Sequence, residues 1–390
     1  TVAIGTGALY RNTTGSENVA VGKNALYHNI GGLRNTAVGF ENQYFTIGSD
    51  NTAVGVQALR GSTTATDNTG GGNTALGDNA LLNNTSGNRN IAIGFGALLV
   101  NTSGTYNIAL GNALSLNTTG AFNIAAGNGA LFSNRANIGS TAIGSSAMIF
   151  ADNRTADARY TYNTAVGYEA LRGSATAANN TGRYNSAGGV QALRLVSSGN
   201  YNTAVGALAG NTISTGNNNT AIGYDAQVPS GTTDNQIRIG NSAVTFACVQ
   251  VAWTVTSDRR WKEQIQPLNL GNDFIGQLRP VSYHRKKNAN AEVETGLIAQ
   301  DLAVTLRHLN APSLGLLQKN TQGFYSVRYT DLLMPLLKAL QEQQGQIDEW
   351  KAANAQAKQT NEQLAAENES VATKISRIKA LLEAIENTQK

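Results

Sequence analysis

Cysteine and proline are what these 390 residues most conspicuously withhold: one of the former, Cys248, and five of the latter, none before Pro229. A lone thiol makes no internal disulfide, and within "VTFACVQVAW" its expected role is that of a buried, small apolar residue. A proline-free stretch of this length suits strands that must donate to a ladder on both sides. Charge is scarce too, at 14% of residues, against about a quarter in ordinary soluble chains. What charge there is lies spread out. Residues 1–256 hold 12 Lys/Arg and 10 Asp/Glu, and residues 257–390 hold 17 and 15. No concentrated basic face exists to meet phosphates, which excludes a nucleic-acid partner. No run is long enough for a membrane-spanning helix, and no signal peptide opens the chain. His28 and His308 are isolated, His284 in "SYHRKK" reads as a surface or structural residue, and no metal-ligand cluster or cofactor site is expected.

What the chain does have is repetition, and repetition decides the fold. The motif N-[TIV]-A-[VIL]-G, loosely kept, begins at Asn18, Asn35, Asn51, Asn73, Asn90, Asn107, Asn123, Ser140, Asn163, Asn185, Asn202 and Asn219. Because a truncated copy, "TVAIG", opens the chain, the polypeptide is expected to begin upstream of Thr1. Successive copies are 16 or 17 residues apart, with three longer steps of 22 or 23. A second motif, a polar or small residue followed by Ala-Leu, recurs as in Asn24-Ala25-Leu26 and Gln57-Ala58-Leu59; Gln43-Tyr44 replaces it in one unit. Helix is excluded by β-branched residues and glycine every few positions. Alternation puts Thr36 and Val38 on one side and Ala37 on the other. The expectation is a mostly β solenoid over residues 1–228, with two short extended segments per unit stacked about 4.8 Å apart. A β-rich connector follows over 229–256.

One such coil offers only alanines and a leucine to its interior, so the Thr/Val/Ile side remains as an apolar stripe, and such stripes mark interaction surfaces. Identical copies meeting along it form a homo-oligomer. The "NTAVG…AL…NTTG" unit resembles the head of trimeric autotransporter adhesins, the YadA-like left-handed parallel β-roll, and that resemblance implies a homotrimer. That family's usual outer-membrane barrel is not expected, because the chain closes on a polar helix. The long steps, "RGSTTATDNTGGG", "IFADNRTADARYTY" and "RGSATAANNTGRY", make protruding loops. Arg159, Tyr160, Tyr162 and Tyr184 are the candidate contacts for a cell-surface receptor or glycan there, against the plainer reading of tolerated insertions.

From Leu340 a seven-residue rhythm takes over. One set is Leu340, Ile347, Asn354, Asn361, Asn368, Ile375 and Leu382; the other is Gln343, Trp350, Ala357, Leu364, Val371, Ile378 and Ile385. These are the a and d positions of a parallel coiled coil over 338–390, with three central asparagines that fix register at a cost in stability.

Between the two lies a small α/β segment, 257–337. Its blocks "SDRRWKEQIQPL", "LRPVSYHRKK" and "ETGLIAQDL", and then "GFYSVRYTDLLMPLLKALQEQQ" running into the coil, resemble the endosialidase-type intramolecular chaperone that terminates phage tail spikes and fibres. That family opens on Ser-Asp-x-Arg-x-Lys, present here as Ser257, Asp258, Arg260 and Lys262; Trp261 stands where the family carries an aliphatic residue. The resemblance implies a Ser257–Lys262 dyad that cuts the Thr256–Ser257 bond. A serine hydroxyl needs an adjacent base, and lysine serves only when burial or a cationic neighbour favours its neutral form; Arg259 and Arg260 are candidate neighbours. Residues five apart meet neither along a helix nor along a strand, so the chain must turn between them. Asp258 is the expected N-cap of a short helix running to Ile265 and ended by Pro267. Alternatively, Lys262 of one chain serves Ser257 of another. Asp301 and Asp331 are expected only to cap or hydrogen-bond.

The function these features imply is a trimeric tail-fibre or spike-like adhesin, extracellular or on a virion tail, whose C-terminal chaperone aligns the chains and is released by autoproteolysis. The alternative is a bacterial surface adhesin whose trimerisation domain is retained and does not cut. An ice-binding solenoid is the third reading, and it requires a flat exposed threonine array.

Overall fold

The computed structural model describes residues 1–154, 159–284, 286, 293–311, 314–320 and 322–388. Two compact units divide the chain, 1–248 and 249–390. In the first, fourteen three-residue strands, β1 (Val2–Ile4) through β14 (Ile237–Ile239), form one parallel sheet in strict chain order. Alanine pairs with alanine at rung after rung: Ala20 with Ala37, Ala37 with Ala53, Ala204 with Ala221. These alanines are fully buried, while their strand neighbours are half-buried or exposed. The alternation read from "NTAVG" is therefore the alternation of the sheet. β14 lies within the segment expected to be a connector, and it is a further rung. There Arg238 takes the alanine position and donates from Nε to the Gly240 carbonyl (2.7 Å), giving the stack a polar last rung.

The second half of each coil is not the extended segment expected. Residues 24–28 and their equivalents are turns in which every other residue has positive φ, such as Asn24 at 61° and Leu26 at 50°. Leucine rarely accepts that conformation. It is held because each turn still bonds to the next coil, Leu26 N–H to Asn42 O and His28 N–H to Tyr44 O (both 3.0 Å), and because the leucine fills the interior. The motif glycine has a similar origin: at φ 134° a Cβ on Gly22 would run into the carbonyl oxygen of Gly39.

The motif asparagines, buried save for the half-buried Asn163, build a ladder of their own. Asn35 donates its N–H to Asn18 Oδ1 (2.9 Å) and its Nδ2 to Gly48 O (2.8 Å), and Asn51 repeats this with Asn35 Oδ1 (2.9 Å) and Gly70 O (3.0 Å). Two of the long coils are also alike. In each, a single turn of 3₁₀ helix, Ala65–Asp67 or Ala177–Asn179, is pinned by one asparagine. Asn68 accepts from Ser62 N–H and Asn180 from Ser174 N–H, both at 2.8 Å. In the third, residues 155–158 lie outside the described residues.

One rung breaks the apolar interior. Asn42 and Gln43, one residue earlier than the Gln43-Tyr44 expected from the repeat, stand where other coils carry Ala and Leu, because the chain bonds Leu26 N–H to Asn42 O and Gln43 N–H to Ala58 O. Both are fully buried, and the core divides there into clusters on either side, Leu9 to Ala37 and Ala53 to Val228. Gln43 Nε2 donates to Thr36 O (2.8 Å), but Gln43 Oε1 and Asn42 Oδ1 have no partner. A buried orphan acceptor costs about 1–3 kcal/mol. Gln43→Leu is therefore expected to raise the thermal unfolding midpoint, a stabilisation of about 1–3 kcal/mol readable by calorimetry. A lowered midpoint would show that the amide's one bond outweighs its orphan.

The second unit holds α1 (Asn272–Gly276), the antiparallel pair β15 (Pro280–Tyr283) and β16 (Glu294–Leu297), and α2 (Ala299–His308). A second antiparallel pair, β17 (Leu317–Lys319) and β18 (Tyr325–Val327), leads to the 56-residue helix α3 (Leu333–Thr388). Leu270, Phe274, Leu302, Leu306, Leu316 and Leu332 form its core. Polar ties join the blocks singled out in the sequence. Arg279 pairs with Asp301 (2.8 Å), and Leu297 N–H donates to Tyr329 Oη (2.8 Å). Glu342 of α3 accepts the Asn272 N–H at the start of α1 (2.7 Å), close enough that a side chain on Gly271 would run into its carboxylate. Asp331 pairs with Arg328 (3.1 Å). Pro335 is tolerated in α3 because it sits in the first turn, where an N–H has no helical partner. The heptad residues Ile347, Trp350, Leu364, Val371, Ile375, Ile378 and Leu382 are all exposed in the single chain. No helix among the described residues is long and apolar enough to cross a membrane.

Candidate active site

Residues 249–256 enter the joint without secondary structure and exposed throughout. Cys248, expected to be buried, is exposed as well, because the apolar run around it finds no cover within one chain. Beyond Ser257, Asp258 takes an extended conformation (φ −64°, ψ 137°) and accepts the Arg260 N–H at 2.8 Å, the N-cap expected of it. The helix it caps is shorter than expected. It is one 3₁₀ turn, Arg259–Trp261, not a helix to Ile265. Lys262 is already extended (φ −124°, ψ 135°), and Gln264 at φ 51° bars any helical continuation toward Pro267.

The consequence of so tight a turn is geometric. It folds the chain back within five residues and brings Lys262 Nζ to 2.6 Å from Ser257 Oγ of the same chain. That is a hydrogen bond slightly shorter than the usual charge-assisted N–H···O contact, and the same pair of heavy atoms serves with the proton moved from oxygen to nitrogen.

The other two motif residues brace the turn. Arg260 grips Asp258 with Nε (3.1 Å) and Nη2 (2.8 Å). Those hydrogen bonds hold the Asp258 carboxyl below its ordinary range and raise the Arg260 guanidinium. With its carboxyl depressed, Asp258 caps the turn above the usual aspartate range and loses that role only as pH falls through the lowered value. Arg260's charge is thereby neutralised by Asp258. It offers Lys262 no uncompensated cation, contrary to one of the two candidate neighbours.

The loop residues are distributed differently. Tyr160, Tyr162 and Tyr184 stack with centroids 5.5 Å apart, and Tyr201, absent from the sequence-based set, continues the stack at 5.0 Å from Tyr184. Its signal was available: Tyr201 precedes a motif asparagine, as Tyr162 and Tyr184 do. Arg159 does not project with them. Its Nη2 lies 2.9 Å from the buried Asp152, which Arg154 also holds at 2.6 Å.

Comparison with known families places residues 257–307 in a match to the family described as chaperone of endosialidase. The match begins on Ser257 and spans the first three blocks. No curated protein and no solved structure matches the chain. The parallel β-solenoid followed by this chaperone-like segment is a tail-spike-like architecture.

Proposed function

We propose that the chain is one protomer of a homotrimeric fibre or tail spike whose C-terminal segment templates assembly and then cuts itself free between Thr256 and Ser257. The observation carrying the proposal is the 2.6 Å approach of Lys262 Nζ to Ser257 Oγ at the first residue of the family match. Neutral Lys262 takes the hydroxyl proton, and Ser257 Oγ attacks the Thr256 carbonyl carbon. The C–N bond breaks, the proton passes to the departing Ser257 amine, and Thr256 is left as an ester on Oγ. Water then hydrolyses that ester, freeing the Thr256 carboxylate and regenerating the hydroxyl. Three copies are the reading favoured by the resemblance of the repeats to left-handed YadA-like rolls, and by two exposed apolar surfaces that one chain leaves uncovered. These are the outer strand positions, among them Ile91, Ile93, Ile124 and Ile143, and the heptad seam of α3. An extracellular or virion-tail location and receptor or glycan binding through the tyrosine-bearing loops follow from that reading.

Intact mass of the unaltered chain beside Ser257→Ala tests it. The expected result is two fragments meeting at Thr256/Ser257 from the unaltered chain alone. A full-length mass from both chains, differing only by the substituted oxygen, would favour a surface adhesin with a retained, non-cleaving trimerisation domain.

A further inference from the structure

The tyrosines of the long coils form one built row, not four separate contacts. Tyr162, Tyr184 and Tyr201 each stand two residues before a strand, on the successive rungs β10 (Thr164–Val166), β11 (Ser186–Gly188) and β12 (Thr203–Val205). All three share a left-handed backbone, at φ 47°, 57° and 58°. The same backbone state at the same place in each coil repeats the ring. Tyr162 stacks on Tyr184 at 5.5 Å and Tyr184 on Tyr201 at 5.0 Å, with Tyr160 added on Tyr162 at 5.5 Å. Gly139 makes room at that end: a Cβ there would stand 2.9 Å from the Tyr162 ring.

Rings stacked in this way cover one another's faces, so they are no platform for a ligand. What they leave to solvent is their edges and hydroxyls. The four residues are 43–59% exposed, and among the described residues none of their hydroxyls is hydrogen-bonded within the chain. The other aromatic pair on the same column differs. Tyr106 and Phe122 also stack at 5.0 Å, but Phe122 has no hydroxyl and that of Tyr106 is taken by Arg89 Nη1. Only Tyr160 to Tyr201 form a comb of free hydroxyls.

A phenol hydroxyl both donates and accepts, so a line of them suits a ligand that carries hydroxyls at the same repeat. One pyranose ring of an extended chain is close in length to one strand spacing, about 4.8 Å. The row has no charge of its own, and Arg159 beside it is held by Asp152 at 2.9 Å. We infer that Tyr160, Tyr162, Tyr184 and Tyr201 hold a linear, uncharged polysaccharide laid along the coil stack, one sugar to a rung, through hydroxyl-to-hydroxyl bonds. This deepens the reading of the long coils as receptor contacts and rests on it. Affinity comes from length, each rung adding one weak bond.

Saturation-transfer nuclear magnetic resonance on the full chain tests this with cellohexaose, mannohexaose, chitohexaose and laminarihexaose, each beside its dimer. At least one hexamer is expected to bind, with a Kd of about 1 mM from four such bonds, and its dimer about tenfold or more weaker. Tyr162→Phe/Tyr184→Phe keeps the stack, removes two hydroxyls, and is expected to weaken binding about tenfold or more. Tyr106→Phe is expected to change nothing. Light scattering and intact mass on the same samples report assembly and self-cleavage separately. The inference is overturned if no neutral hexamer binds, or if the double phenylalanine variant binds as well as the unaltered chain. Binding of a galacturonate hexamer in place of the neutral ones, which the exposed Arg183 beside Tyr184 would explain, also overturns it. So does a changed oligomeric state in the phenylalanine variant, which would make the row a contact between copies. In each of these cases a trimer that cuts at Thr256–Ser257 leaves the fibre reading standing.

Discussion

Lys262→Met is expected to slow cleavage at Thr256–Ser257 by about 10²–10⁴-fold, the usual contribution of a positioned general base, while the chain assembles as before. The lysine is exposed and its side chain reaches only Ser257 in the described structure, so the loss is not one of folding. Lys262→Arg sharpens the result. Arginine keeps the charge, the reach and the hydrogen bond to Oγ, but cannot give up a proton in a protein. If Lys262 merely orients Ser257, the arginine variant cuts nearly as well as the unaltered chain. If it is the base, arginine is as inert as methionine. A time course on a denaturing gel separates the two, and near-normal cutting by the arginine variant would remove Lys262 from the chemistry. Asp258 and Arg260 cannot take over, since each is already committed to the other.

The fold was legible where one rule repeats. Asn-x-Ala-x-Gly gave the strand, its inward alanine and its terminal glycine, because alternation and the conformational freedom of glycine act at short range. The turn half of the coil was misread as extended because Leu26 and its equivalents sit at positive φ, a state leucine does not favour alone and adopts only when neighbouring coils supply bonds and packing. The buried asparagine ladder was hidden for the same reason: asparagine in a polar repeat reads as turn chemistry, and only stacking turns Asn18, Asn35 and Asn51 inward. At the joint, the sequence supplied the residues and the need for a turn, and Asp258 the cap. It did not supply the turn's length, which Gln264 sets through an αL backbone that no local propensity demands. Cys248 was misjudged because the apolar run around it finds no cover within one chain, and a single sequence shows a strand's appetite for a partner only as apolar alternation.

A chain ending at Thr256 is expected to collapse into mis-registered oligomers, with a discrete, uniform trimer only a minor fraction. The reason lies in how little one rung differs from another. Ala20 pairs with Ala37 just as Ala37 pairs with Ala53, and Ile91/Ile93 on one rung are nearly interchangeable with Ile108/Leu110 on the next. Chains meeting along such a stripe therefore lose little by slipping a whole coil, and each slipped pairing is a trap in an already slow, non-local assembly. The few rungs that differ, Asn42/Gln43 and the long coils, penalise a slip only after it has been made. Alignment must come from a part that tolerates a single register, and the three heptad asparagines, Asn354, Asn361 and Asn368, are such a part. Light scattering and negative-stain images of residues 1–256, beside the same segment fused directly to residues 333–388, make the comparison. The fusion is expected to recover the uniform species without the chaperone segment between. A shortened chain that reaches uniform threefold assembly as fast as the full one would show that the solenoid finds its own register.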